Sequence, residues 1–185
     1  MNTPPAVWTI GHSTRSASEF NQILKSHGIE NLVDVRSFPG SRRYPHFNKE
    51  QLAESLSESG IDYYHFPALG GRRRPRMNSR NTAWKNDSFR GYADYMESEA
   101  FRQGIGQLLQ LARGKRTAIM CAEALWWRCH RSLIADYLKV LGAEVVHIID
   151  ENHTEKHPYT SVARIIGGKL SYEGLLADEA SESQA

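Results

Sequence analysis

Thr117-Ala118-Ile119-Met120-Cys121-Ala122-Glu123-Ala124-Leu125-Trp126-Trp127-Arg128-Cys129-His130-Arg131-Ser132-Leu133-Ile134-Ala135-Asp136-Tyr137-Leu138 decides how this chain folds. Its first residues form an apolar run of strand length. From Ser132 the apolar residues recur at helical spacing, towards a stop at Gly142. Strand, short polar connection, helix is the repeating unit of a parallel α/β sheet. Such sheets bind ligands beyond the carboxyl ends of their strands, and a helix amino terminus favours an anion there. Both cysteines of the chain fall in this connection, with Glu123, His130, Arg128 and Arg131. Chemistry is expected here.

The same alternation runs outward in both directions. Strands are predicted over 7–10, 32–35, 61–66, 117–121 and 144–149. Helices are predicted after Ser16 or Ser18 (Ser16 and Glu19 have capping-box spacing), after Asn48, near 89–96 and 101–113, and from Ser132. The segment 67–88 is irregular, and 164–170 reads as a terminal hairpin. The expected fold is a mostly parallel five-stranded sheet with helices on both faces, a Rossmann-like three-layer sandwich. One domain over 1–173 is expected, followed by a disordered acidic tail over 174–185.

Composition bounds the function. With 185 residues, 40% hydrophobic and 24% charged, the chain is an ordinary globular one. No apolar run approaches the roughly 20 residues of a membrane span, and the polar start lacks a signal-peptide core. Two cysteines in one short segment do not make a disulfide framework, so a cytoplasmic location is expected. Net charge is only +2, yet residues 36–80 hold nine Lys/Arg against four Asp/Glu, concentrating positive charge in one region.

Three loops emerge at the carboxyl edge of such a sheet. The first carries Gly11, His12 and Ser13, the second Asp34, Arg36, Arg42 and Arg43, the third the Cys121–Arg131 connection. Glycine permits close backbone approach, and arginine forks match phosphate or carboxylate oxygens. Gly11, His12, Ser13, Asp34, Arg36, Arg42, Arg131 and Ser132 are therefore candidate substrate-binding residues. Asp34 pairing with an arginine is an equally good reading for Arg36. Cys121 at a strand end suits a nucleophile, and Cys129 at a helix start suits a lowered thiol pKa. Glu123 and His130 are the candidate acid, base or orienting groups. No closed zinc spacing is present, so no metal is assigned, and the residues designate no particular cofactor. Arg43, Arg72, Arg73, Arg74 and Arg76, with Trp84, Trp126 and Trp127, offer a route to nucleic-acid binding through phosphates and stacking.

Gly11-His12-Ser13, Asp34-Val35-Arg36-Ser37-Phe38-Pro39-Gly40-Ser41-Arg42-Arg43, Phe47-Asn48-Lys49, Leu69-Gly70-Gly71, Phe89–Met96 and Met120-Cys121-Ala122-Glu123 with Cys129-His130-Arg131-Ser132 resemble one bacterial family, catalogued as domain of unknown function 488. The resemblance covers Thr9 to about Tyr172 and implies a cytoplasmic α/β protein with no settled activity. The order of elements also resembles rhodanese-like sulfurtransferases and cysteine phosphatases. Here, however, six residues separate Cys121 from Arg128, and the intervening loop has no glycine to make a tight anion cradle. The expectation is an enzyme-like anion site acting on a nucleotide, nucleic acid or other phosphorylated substrate. The alternatives are a non-catalytic DNA- or RNA-binding protein and a rhodanese- or phosphatase-like cysteine enzyme.

Overall fold

Every residue of Thr117–Cys121 is buried, as a central parallel strand covered on both faces must be. The structure is a computed structural model, and it describes residues 4–175. The tail expected over 174–185 lies outside the described residues but for Gly174 and Leu175.

The strands are β1 (Val7–Gly11), β2 (Asn31–Asp34), β3 (Asp62–His65), β4 (Thr117–Cys121), β5 (Val145–Ile148) and β6 (Thr154–Lys156), in the sheet order β3-β2-β4-β1-β5-β6. All neighbours pair in parallel except β6, which runs antiparallel to β5. The sheet therefore has six strands where five were expected. Thr154-Glu155-Lys156 is wholly exposed, so it carries no apolar pattern to announce it.

Helices α1 (Ala17–Ser26) and α2 (Lys49–Glu58) cover one face. Their Phe20, Leu24, Leu52 and Leu56 pack on Ile10, Leu32, Ala118 and Met120. The other face is covered by α3 (Asp87–Tyr95), α4 (Glu99–Gly114) and α5 (Arg131–Val140), with Tyr92, Phe101, Leu108, Leu133 and Leu138 against Val33, Ile119 and Val145. The result is a three-layer, Rossmann-like sandwich. Each large apolar side chain fully buried between these layers contributes about 1.5–3 kcal/mol relative to exposure.

Local chemistry sets the element ends. Ser16 caps α1, accepting from Glu19 N at 3.1 Å while Glu19 Oε2 accepts from Ser16 N at 2.8 Å. Asn48 precedes α2 but does not cap it through its side chain; its Oδ1 accepts from Ser41 N at 2.5 Å and ties down the loop after β2. A terminal hairpin, β7 (Arg164–Ile166) and β8 (Lys169–Ser171), turns on Gly167 and Gly168, both at positive φ as a two-residue hairpin turn requires. Among the described residues no helix is long and apolar enough to cross a membrane.

The topology places a crevice at β4. The chain leaves β1 and β2 towards α1 and α2 on one face, and leaves β4 towards α5 on the other. Adjacent strands whose connections part to opposite faces open a cleft at their carboxyl ends. Here those strands are β2, β4 and β1, which brings together the loops after Gly11, Asp34 and Cys121.

Candidate active site

Cys121 ends β4 beside Gly11, its register partner at the end of β1. A Cβ on Gly11 would overlap the Glu123 carbonyl, so glycine lets the β4 loop cross the strand end. Backbone bonds then join the two loops: His12 N donates to Cys121 O at 2.9 Å and Ser13 N to Ala122 O at 3.0 Å. Strand alternation turns Cys121 towards α5, where Cys129 and Arg131 meet it.

The two sulfurs lie 2.7 Å apart, both buried and both free thiols. Arg131 is 1% exposed. Its Nε donates to Cys121 Sγ at 3.1 Å, its Nη1 to Thr9 Oγ1 at 3.0 Å and its Nη2 to the Glu123 carbonyl. Its backbone N–H points at Cys129 Sγ from 3.5 Å, at the first turn of α5. No carboxylate pairs with Arg131 among the described residues. A buried guanidinium needs a counter-charge, and the acidic groups that touch it are the thiols.

Ionisation follows that geometry. Burial works against a thiolate at Cys129, but the hydrogen bond from Cys121 and the charge and N–H groups of Arg131 outweigh it and bring Cys129 down to about 7. Burial and the neighbouring Cys129 push Cys121 well above the ordinary thiol value. The two sulfurs titrate as one unit that gives up its first proton easily and holds its second. Burial would lower Arg131, yet the sulfurs more than reverse this and raise it.

Two histidines flank the pair. His130 Nε2 donates to the Val35 carbonyl at 2.9 Å, which leaves Nδ1 as an acceptor 3.5 Å from Cys129 Sγ. Burial lowers its pKa, so it is a neutral imidazole beside the sulfur. His12, buried and stacked on Phe47 at 4.2 Å between ring centroids, is likewise lowered by burial, to about 4.

Arg36 has its partner close at hand. Nε and Nη2 donate to Asp34 Oδ1 and Oδ2 at 2.9 and 2.7 Å, and Nη2 also reaches the Phe47 carbonyl. The Tyr63 hydroxyl donates to the same carboxylate at 2.6 Å. The pair is structural, with only Nη1 left towards His12 Nε2 at 3.5 Å.

A cleft of about 650 Å³ opens above the sulfurs, within the size range of small-ligand sites. His12, Ser13, Arg36, Cys121, Glu123, Cys129 and His130 line it, with Arg72, Arg128, Phe38 and Tyr44 towards its mouth. Arg128, to which the sequence assigns no role of its own, joins Arg72 there, both exposed and neither paired with a carboxylate among the described residues. Among the described residues Ser13 and Arg72 are the non-glycine residues at positive φ, 52° and 58°, and both face this cleft. Such backbone is disfavoured for side-chain-bearing residues and is held by its surroundings.

The remaining candidates differ in how their side chains are engaged. Ser132 is fully buried and donates to the Cys129 carbonyl at 2.8 Å, so its hydroxyl supports the loop from behind. Glu123 is exposed, and its Oε1 accepts from Leu125 N at 3.2 Å; its backbone carbonyl, not its carboxylate, meets Arg131. Arg42 and Arg43 are exposed and outside the cleft lining, Arg43 lying over Tyr44. The basic run is only partly free. Arg73 stacks 3.6 Å from the Tyr95 ring centroid and donates to Gly70 and Pro67 carbonyls, and Arg76 pairs with Glu97 at 2.5 Å. Arg72 and Arg74 remain for a ligand. Trp126 is buried against His147, and Trp84 packs between Phe89 and Tyr172.

Sequence reasoning missed Thr9, His147, His157 and Asp136, all buried and all connected to Arg131. For Thr9 and His147 the signal was present but local, a lone polar residue in an apolar run, as in Val7-Trp8-Thr9-Ile10 and Val145-Val146-His147-Ile148. Among the described residues no group of three or more His, Cys, Asp or Glu side chains stands ready to hold a metal.

Comparison with curated proteins and with solved structures gives no significant match. A family model described as "Domain of unknown function DUF488" matches residues 16–138, about two thirds of the chain, including β4, the thiol pair, His130, Arg131 and the Asp34–Arg36 loop. With that span matched, the chain belongs to the DUF488 family.

Proposed function

We propose that the protein is a cysteine-dependent enzyme acting on a phosphorylated, nucleotide-sized substrate. The observation that carries this reading is Arg131, a buried guanidinium whose acidic partners are two touching sulfurs at the floor of an open cleft. One thiolate is stabilised there near neutral pH, which makes the pair a nucleophile. Its neighbour retains a proton. In the reaction the thiolate forms a bond to the electrophilic centre, the bond to the leaving group breaks, and the retained proton passes to that group. His130 stands beside Cys129 with Nδ1 3.5 Å from Sγ, and the Glu123 carboxylate at the cleft wall is the base for a water that releases the enzyme-bound group.

Substrate class follows from the mouth. Arg72 and Arg128 supply unpaired positive charge against one carboxylate, Glu123. Phe38 is 73% exposed there with Arg72 5.8 Å from its ring centroid, a surface suited to a base. Ser13 and Thr14 add hydroxyl donors. A nucleic-acid strand would meet fewer free arginines than the run at 72–76 promises, because Arg73 and Arg76 are already engaged.

The test is alkylation by iodoacetamide at pH 7, followed site by site by mass spectrometry, with and without a nucleoside monophosphate. One cysteine should label fast, and the nucleotide should protect it. Slow, equal labelling of both cysteines would make them packing residues and end the reading. Protection only by DNA or RNA, falling steeply with salt, would move the substrate to nucleic acid.

A further inference from the structure

Behind Arg131 a second polar system runs through the core. Arg131 Nη1 donates to Thr9 Oγ1 at 3.0 Å, and Thr9 Oγ1 stands 2.6 Å from His147 Nδ1. His147 Nε2 lies 2.9 Å from His157 Nδ1, and His157 Nε2 lies 2.8 Å from Asp136 Oδ1. Asp136 also accepts from Thr160 N, the Thr160 hydroxyl and the Tyr172 hydroxyl. None of Thr9, His147, His157 and Asp136 is more than 3% exposed.

The ends of this chain fix its direction. A guanidinium only donates and an ionised carboxylate only accepts. With one proton on each imidazole, Thr9 accepts from Arg131 and gives its own proton to His147 Nδ1. His147 then carries its proton on Nε2 and gives it to His157 Nδ1, and His157 carries its proton on Nε2 and gives it to Asp136. Every link then has one donor and one acceptor, and no tautomer is left free. Burial, first, and then His157 and Arg131 hold His147 far below its ordinary pKa, in keeping with that role. Trp126, in the loop between the two cysteines, stacks on His147 at 4.4 Å and 4°, so the same chain anchors the wall of the site.

We propose that Thr9, His147, His157 and Asp136 are positioning residues of the thiol site, a one-way hydrogen-bond chain that holds the Arg131 guanidinium against Cys121. The proposal rests on the thiolate reading above. The chain acts only through Arg131; none of its members touches a sulfur. Around the sulfurs themselves stand Arg131 from α5, His130 before it and Tyr92 from α3, and none of these is altered by the test.

The experiment is the pH profile of iodoacetamide alkylation in the full chain, with thermal unfolding on the same samples. Thr9→Val keeps the shape and removes both links at Thr9; the first thiol ionisation should rise by about one pH unit, slowing alkylation at pH 7 by about tenfold. Thr9→Ser restores the hydroxyl and should return the wild-type profile. Asp136→Asn cuts the far end and should shift the profile in the same direction by less, which keeps the proposal testable if Thr9→Val does not fold. A wild-type midpoint near 7 that Thr9→Val or Asp136→Asn leaves unmoved, even with a lower Tm, overturns the chain and spares the thiolate. A wild-type midpoint at about 8.5, an ordinary thiol, overturns both.

Discussion

Arg36 after β2 and Arg131 after β4 are both buried arginines at one edge of one sheet, 8% and 1% exposed, yet they are opposites. Arg36 is answered within two residues by Asp34, in a two-pronged pair reinforced by Tyr63 and the Phe47 carbonyl. Its charge is spent inside the protein. Arg131 meets sulfur, hydroxyl and carbonyl oxygens, with no carboxylate in reach among the described residues. Its charge is balanced only when a thiol gives up a proton. The first loop is built for stability, and on the proposed reading the second serves reactivity.

The largest expected effect falls on the first loop. Asp34→Asn leaves Arg36 buried without its counter-charge and should cost about 3–5 kcal/mol in denaturant unfolding, with thiol ionisation unmoved. A loss below about 1 kcal/mol would mean that Arg36 swings to solvent or into the cleft, and the contrast between the loops would collapse.

Arg131→Gln should give the reverse pattern. Removing the cation raises the first thiol ionisation by about one to two pH units, so alkylation at pH 7 slows about 10- to 100-fold. The stability loss should be smaller than for Asp34→Asn, because no carboxylate is left stranded. Unchanged alkylation would show that the sulfurs do not depend on this arginine.

The pH dependence of stability separates the same two halves. In the fold the first sulfur proton leaves near 7, against about 8.5 for an ordinary thiol. Between those values the unfolded chain holds more protons, so stability should rise with pH across this window and be lost as pH falls through it. Above about 9 the trend should reverse, because Cys121 stays protonated in the fold while an unfolded thiol ionises. Cys121→Ser with Cys129→Ser should flatten both limbs. On the acid side His12, lowered from 6.5 to about 4, should withdraw stability as pH falls between those values, and the double serine variant should leave that limb intact.

The smallest effect belongs to the basic run. Arg74→Ala should change stability by less than about 0.5 kcal/mol and leave nucleotide protection of the thiol unaltered, whereas Arg72→Ala with Arg128→Ala should weaken it. Isothermal titration with a nucleoside monophosphate would measure both. Equal losses would return the whole 72–76 segment to the ligand.

Much of this was legible in the sequence where the signal is short-range. Buried apolar runs marked β1, β2, β4 and β5, Ser16 and Glu19 marked the start of α1, and the Cys121–Arg131 connection marked the crevice. What was not legible depends on partners distant in sequence or on orientation. β6 lacks an apolar side, so only its pairing with β5 makes it a strand. Glu123 reads as an acid or base from its position, but no spacing shows that the turn engages one of its carboxylate oxygens or that its carbonyl meets Arg131. Arg73 reads as a phosphate contact, but Tyr95, folded against it from α3, claims its guanidinium. The chain from Thr9 to Asp136 joins β1, β5, the residue after β6 and α5, and no spacing in the sequence connects them.

The most direct measurement is the ultraviolet thiolate absorbance of the wild-type protein as a function of pH, with Cys121→Ser and Cys129→Ser beside it. One sulfur per chain should ionise near pH 7, the second should stay protonated well beyond the ordinary thiol range, and replacing either cysteine should disturb the titration of the other. Two independent ionisations at about 8.5 would contradict the account, because Arg131 would then be a buried charge with no partner at neutral pH.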